Sequence, residues 1–176
     1  DPGLGRLVDG LAERFESVEF AYVPVDACSP IHTHEMQATN VNAHPLPSMF
    51  GVKDGIWKSL QARTVIANAE ERADVTYVQL PFAAPVALYG ARRPRLYHFC
   101  ADIKEVVNQG NAYQGWQRQA AVALADFIET EYSYLVSQRN ARFVSNGEAL
   151  WRKHGSDKGS FVISATMYQS EVESVA

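Results

Sequence analysis

Apolar residues along the chain follow two alternating patterns. Leu4, Leu7, Val8, Leu11 and Phe15 recur with a helical period, so the chain opens with an amphipathic helix. That helix is entered through a glycine turn, Asp1-Pro2-Gly3-Leu4-Gly5-Arg6. Val18 to Val25 is β-branched and aromatic and is broken by Pro24, which reads as a strand. Asp26 to Asn42 is polar and without period, and Ala43 to Pro47, with two prolines, is at most a short edge strand. Lys53 to Arg72 is helical, with Ile56, Trp57, Leu60, Thr64 and Ala67 on its expected inner face. Asp74 to Pro81 is a strand with a proline stop, and Phe82 to Tyr89 is a short helix ended by Gly90. Leu96 to Cys100 is a buried strand, followed by an Asn- and Gly-bearing loop over Asp102 to Gly115. The longest helix spans Gln117 to Ser137, with Ala120, Leu124, Phe127, Ile128 and Leu135 inward. Ala141 to Ser145 is a strand, Asn146-Gly147 turns into a helix that runs through His154, and Ser160 to Ser164 is the last strand.

Strands alternating with helices through short connections predict an α/β fold, with a doubly wound, mostly parallel sheet flanked by helices. Such sheets take ligands at the carboxyl ends of their strands. The loops to inspect are therefore Gly3 to Arg6, Asp26 to Glu35, Pro81-Phe82, His98 to Asp102 and Ser145 to Gly147. A glycine turn of the opening kind normally follows a buried strand, so the expectation is that a strand precedes Asp1 in a longer protein.

With 176 residues, 47% apolar and 20% charged, the chain suits one soluble domain. A net charge of −4 provides no basic field for a nucleic-acid backbone. Two cysteines, Cys28 and Cys100, are too few for a disulfide framework and fit a reducing cytoplasm. No apolar run has the length of a membrane span.

Several side chains could carry chemistry. Gly3, Gly5 and Arg6 could cradle a phosphate through backbone N–H groups and the helix dipole; the plain alternative is a Pro-Gly-Asp turn. Cys28, His32, His34 and Glu35 are metal-capable, but they lack the spacing of a zinc site and read as a polar loop. His98 and Asp102 sit where a doubly wound sheet places its ligand. The histidine can donate to a sugar hydroxyl or a phosphate, and the carboxylate can accept from hydroxyls or act as a base. Their structural alternatives are a satisfied core histidine and a helix N-cap before Ile103. Arg92, Arg93 and Arg95 read as a solvated basic loop, and the Lys53 to Arg72 helix as packing on the sheet rather than lying on a membrane. No nucleophile elbow, Walker loop or His-Glu-x-x-His motif occurs.

Several segments together resemble the N-terminal domain of a GT-B glycosyltransferase, of the large retaining family labelled family 4. They are Gly3 to Phe15, Asp74 to Phe82, Leu96 to Asp102, Ala141 to Leu150 and Val162 to Thr166, which occur in the family's order. The resemblance implies a Rossmann-like domain that binds the acceptor, with a nucleotide-sugar donor site on a second, C-terminal domain. It implies transfer without a metal or other cofactor, to a glycan or lipid-linked acceptor, in the cytoplasm and at most peripheral to the inner membrane face. It would place His98 and Asp102 at the sugars, Gly3, Gly5 and Arg6 near the donor phosphate, and Pro81, Phe82, Ser145 and Asn146 at the acceptor. Two departures stand out: the turn is Gly-x-Gly rather than an adjacent glycine pair, and His98 stands where some relatives have aspartate. A nucleotide-sugar epimerase of the same plan and a non-catalytic α/β binding module are the alternatives.

Overall fold

Helices and strands alternate along the chain in the order α1 (Pro2–Ala12), β1 (Val18–Tyr22), β2 (Val41–Pro45), α2 (Val52–Glu70), β3 (Thr76–Leu80), a 3-10 turn (Pro85–Leu88), β4 (Arg95–Phe99), α3 (Ile103–Gln109), α4 (Trp116–Ser137), β5 (Ala141–Asn146), α5 (Glu148–His154) and β6 (Gly159–Val162). A computed structural model describes residues 2–24, 35–48, 52–82, 84–90, 93–109, 114–154 and 159–162. The fold is α/β, with parallel sheets flanked by helices in the Rossmann-like manner that the alternation predicts. It divides into two compact units, one built on Asp1–Ala73 and the other on Asp74–Ile163.

In the second unit the strand order is β3-β4-β5-β6, parallel throughout. Each strand is added on the same side of its predecessor. Right-handed crossovers then send their helices to one face, as in one half of a doubly wound sheet. Contacts around Phe99 agree with this. Its ring meets Tyr132 of α4 edge-on at 5.9 Å, Phe143 of β5 at 5.8 Å, and stacks on His154 of α5 at 3.9 Å. Leu80, Tyr97, Phe99 and Ser145 are essentially without solvent contact, and this helix-covered face is the core. Burial holds the His154 imidazole below its ordinary range, which suits a neutral ring stacked on Phe99.

Two helical faces differ from the expected ones. On α2 the buried stripe is Ser59, Ala62, Ile66 and Ala69, whereas Trp57 is 81% and Leu60 64% exposed. Small residues let this helix approach its neighbours closely, and a count of large apolar side chains selects the wrong stripe. On α4, Ala121, Ala125, Ile128, Tyr132, Leu135 and Val136 are buried, while Ala120 and Phe127 face solvent. Ile128 and Leu135 face inward as the periodicity predicts; Ala120 and Phe127 each lie one residue, or about 100° of helix, from a buried position. The expected loop over Asp102 to Gly115 contains α3, because the Asp102 carboxylate accepts hydrogen bonds from the amides of Lys104 (2.8 Å) and Glu105 (3.3 Å) and caps that helix. Arg95 is no solvated loop residue. It is buried at the start of β4, and its guanidinium donates to the Leu88 carbonyl. Arg92, Cys28, His32 and His34 lie outside the described residues.

In the first unit β1 and β2 pair in parallel, with α1 and α2 packed on β1. Gly3, Gly5 and Arg6 lie within α1, which begins at Pro2, so the expected glycine turn is the first turn of the helix. Asp9 accepts from the amides of Gln37 and Ala38, and Asn40 donates to the carbonyls of Ala12 and Phe15, so both side chains tie α1 to the segment before β2. Glu19 of β1, with its side chain only 8% exposed, accepts from Arg72 at 2.8 Å and Asn42 at 3.0 Å and lies 2.5 Å from His44 Nε2. The Arg72 guanidinium, against the opposing effect of burial and helped by His44 and Asn42, holds the Glu19 carboxyl at about 2.

Two expectations follow from this packing. Phe99→Ala removes the ring shared by α4, β5 and α5 and should lower unfolding free energy by about 3–5 kcal/mol in denaturant titration; a loss no larger than that of a surface substitution contradicts the assigned core. Glu19 has a folded pKa below its ordinary 4.5, so its stabilising contribution is complete above that pH and is lost as pH falls toward 2. Acid unfolding of Glu19→Gln should lack this component, and an unchanged acid limb contradicts it.

Candidate functional site

The faces of the second sheet are chemically unlike. In β5, Ala141, Phe143 and Ser145 turn toward the helices, so Arg142, Val144 and Asn146 point the other way. Register places Gln79 beside His98 and His98 beside Val144, and Tyr77 precedes Gln79 by one alternation on the same face. This second face carries a line of polar side chains across β3, β4 and β5.

His98 is the centre of that line and is 6% exposed. The Tyr77 hydroxyl contacts its Nδ1, and its Nε2 lies 2.8 Å from Asn146 Oδ1. Asn146 Nδ2 in turn reaches the Cys100 carbonyl at 3.4 Å. Burial raises the Tyr77 phenol well above its ordinary range, so it enters the line as a donor. The arrangement that satisfies every atom runs from Tyr77 O–H to His98 Nδ1, from His98 Nε2–H to Asn146 Oδ1, and from Asn146 Nδ2–H to Cys100 O. Gln79 donates to Cys100 Sγ at 3.2 Å, and burial raises that thiol despite the Gln79 contact. The sulfur is therefore a neutral thiol and a poor nucleophile.

Asp102 belongs to a different group. One carboxylate oxygen caps α3, and the other accepts from Lys153 Nζ at 2.6 Å. Lys153 also contacts Glu129, and Lys104 bridges Asp126 and Glu129 at 2.6 and 3.0 Å. Burial works against the Asp102 charge, but Lys153 and the two capping amides outweigh it and hold the carboxyl below its ordinary range. These charges tie α3, α4 and α5 together on the helix side of the sheet.

The other expected residues divide between the two faces. Asn146 joins His98, whereas its neighbour Ser145 is fully buried on the helix side and donates to the Gly147 carbonyl at 3.2 Å. Gly147 has φ +82°, a left-handed conformation that favours glycine, and it makes the turn from β5 into α5. Pro81 is exposed, and the Leu80–Pro81 peptide is cis. The Phe82 amide donates to the Tyr132 hydroxyl at 2.6 Å, and that hydroxyl donates to the Phe82 carbonyl at 2.9 Å. Gly3, Gly5 and Arg6 belong to the other unit. No cluster of metal-capable side chains occurs among the described residues.

Tyr77 and Gln79 were missed from sequence, although a signal exists. They alternate with the buried Val78 and Leu80, which places them on the face of β3 that neighbours His98.

No protein-family model, curated protein or solved structure matches the chain. The site is therefore characterised by its geometry: neutral donors and acceptors in a connected line on one face of a parallel sheet.

The division between Asp102 and His98 can be checked directly. Asp102→Ala should cost about 1 kcal/mol of stability through the lost cap, while leaving the His98 imidazole resonances in place. Displaced His98 resonances without a loss of stability would join the two residues in one site.

Proposed function

We propose that this chain is the acceptor-binding part of a glycosyltransferase, which moves a sugar from a nucleotide-sugar donor to a glycan or lipid-linked acceptor. The observation that supports it best is the Tyr77–His98–Asn146 line across three adjacent parallel strands. His98 and Asn146 lie toward the carboxyl ends of β4 and β5, where open α/β sheets take ligands. Neutral groups held by their neighbours suit hydroxyl recognition, because a sugar hydroxyl both donates and accepts. The ordered resemblance of the segments around Gly3, Leu80, His98 and Ser145 to the GT-B family supplies the reaction class.

In this reading His98 is the principal sugar contact. Both of its ring nitrogens are already engaged, so an acceptor hydroxyl takes the place of Tyr77 or Asn146 and inherits a preformed geometry. Asp102 contributes by holding α3 and α5 rather than as a base. Donor binding and charge stabilisation of the leaving nucleotide fall to a second domain. The donor-phosphate roles of Gly3, Gly5 and Arg6 rest on the resemblance.

Calorimetric titration of the chain with oligosaccharides and with nucleotide sugars tests the reading. Oligosaccharide binding is expected, weakened about tenfold by His98→Ala through the loss of a buried hydrogen-bond partner. Tight nucleotide-sugar binding without any oligosaccharide binding, or release of free nucleotide from donor alone, would overturn it.

A further inference from the structure

A second feature of the sheet lies toward β6. An open groove of about 810 Å³ is lined by the apolar Leu96, Phe143 and Val144, by Gly159, and by the polar Ser137, Arg139, Arg142 and Ser160. Register explains this lining: Leu96 lies beside Arg142, Val144 beside Ser160, and Phe143 beside Gly159. Gly159 cannot be replaced freely. A Cβ there would stand 2.7 Å from both the ring and the carbonyl oxygen of Phe143, so a bare backbone is what lets β6 lie this close.

Three basic side chains elsewhere in the unit are paired with carboxylates, while Arg118 donates to the Asn108 carbonyl. Lys104 bridges Asp126 and Glu129, Lys153 bridges Asp102 and Glu129, and Arg152 pairs with Glu148. Among the described residues, Arg139 and Arg142 have no carboxylate partner and no carboxylate lines the groove. Among the described residues Arg142 donates to the adjacent Ala141 carbonyl alone, at 2.8 Å. In a chain of net charge −4, two exposed guanidiniums beside one groove are complementary to an anion.

We infer that this groove binds a small organic phosphate, a phosphomonoester with an apolar body. Guanidinium forks match phosphate oxygens in paired hydrogen bonds, and two of them suit a dianion. The Ser160 hydroxyl is a further donor, and Leu96 and Val144 take the apolar body. The volume falls in the range of small-molecule sites, about 300–1,000 Å³. The site does not depend on the glycosyltransferase reading, because neither His98 nor Asn146 lines it, although Val144 lies beside His98 in register.

The test is a titration of the protein with phenyl phosphate, followed by backbone and arginine Nε resonances in ¹H–¹⁵N spectra, with inorganic phosphate and phenol in parallel. Phenyl phosphate should shift Gly159, Ser160 and Arg142, bind more tightly than inorganic phosphate, and weaken with added salt. Phenol should not bind. Arg139→Gln and Arg142→Gln, both at exposed positions and both retaining the wild-type fold by spectrum, should each weaken binding about tenfold. Absence of shifts at millimolar phenyl phosphate, or wild-type affinity in both variants, overturns the site. Equal affinity for inorganic phosphate removes the apolar lining from it and overturns the phosphomonoester assignment.

Discussion

One constraint organises the second unit: each strand of the β3–β6 sheet is added in the same direction. A right-handed crossover then sends every helix to a single face. That face must be apolar to bury the helices, and the junction of Phe99 with Tyr132, Phe143 and His154 is the result. The other face is released from packing against these helices and can carry polar side chains. Strand alternation delivers both faces at once, so a residue's parity in its strand decides whether it packs under the helices or joins the polar face.

Ser145 and Asn146 illustrate this division. They are adjacent in sequence, yet Ser145 is sealed under the helices while Asn146 bonds His98. His98 and Asp102 divide similarly, with the histidine on the polar face and the aspartate among the charges that bind α3, α4 and α5. The two residues most alike as catalytic candidates in the sequence thus have separate physical tasks. Ion pairs around Glu129 and Lys153 are partly exposed and contribute modestly one at a time; their value lies in fixing how three helices meet.

Much of the fold was legible in the sequence for local reasons. β-Branched and aromatic runs stopped by proline marked β1 and β3, and Asn146-Gly147 marked the turn into α5. Helix faces were harder to read. On α2 the buried stripe is made of Ser59, Ala62, Ile66 and Ala69, so tertiary closeness overrides side-chain size and leaves Trp57 in solvent. The polar site was half legible: His98 and Asn146 are visible as residues near strand ends, but Tyr77 emerges only when β3 is set beside β4 in register. The helix cap of Asp102 was readable as an alternative, whereas its bond to Lys153 spans 51 residues and has no local signal.

Tyr77, His98 and Asn146 form one connected, directional line that presents a preset imidazole. Long-range ¹H–¹⁵N spectra of the histidine ring measure this directly. His98 should be a single Nε2–H tautomer with Nδ1 as acceptor, and Tyr77→Phe and Asn146→Ala should each disturb its ring nitrogens. An Nδ1–H tautomer, or ring signals indifferent to both substitutions, would contradict it.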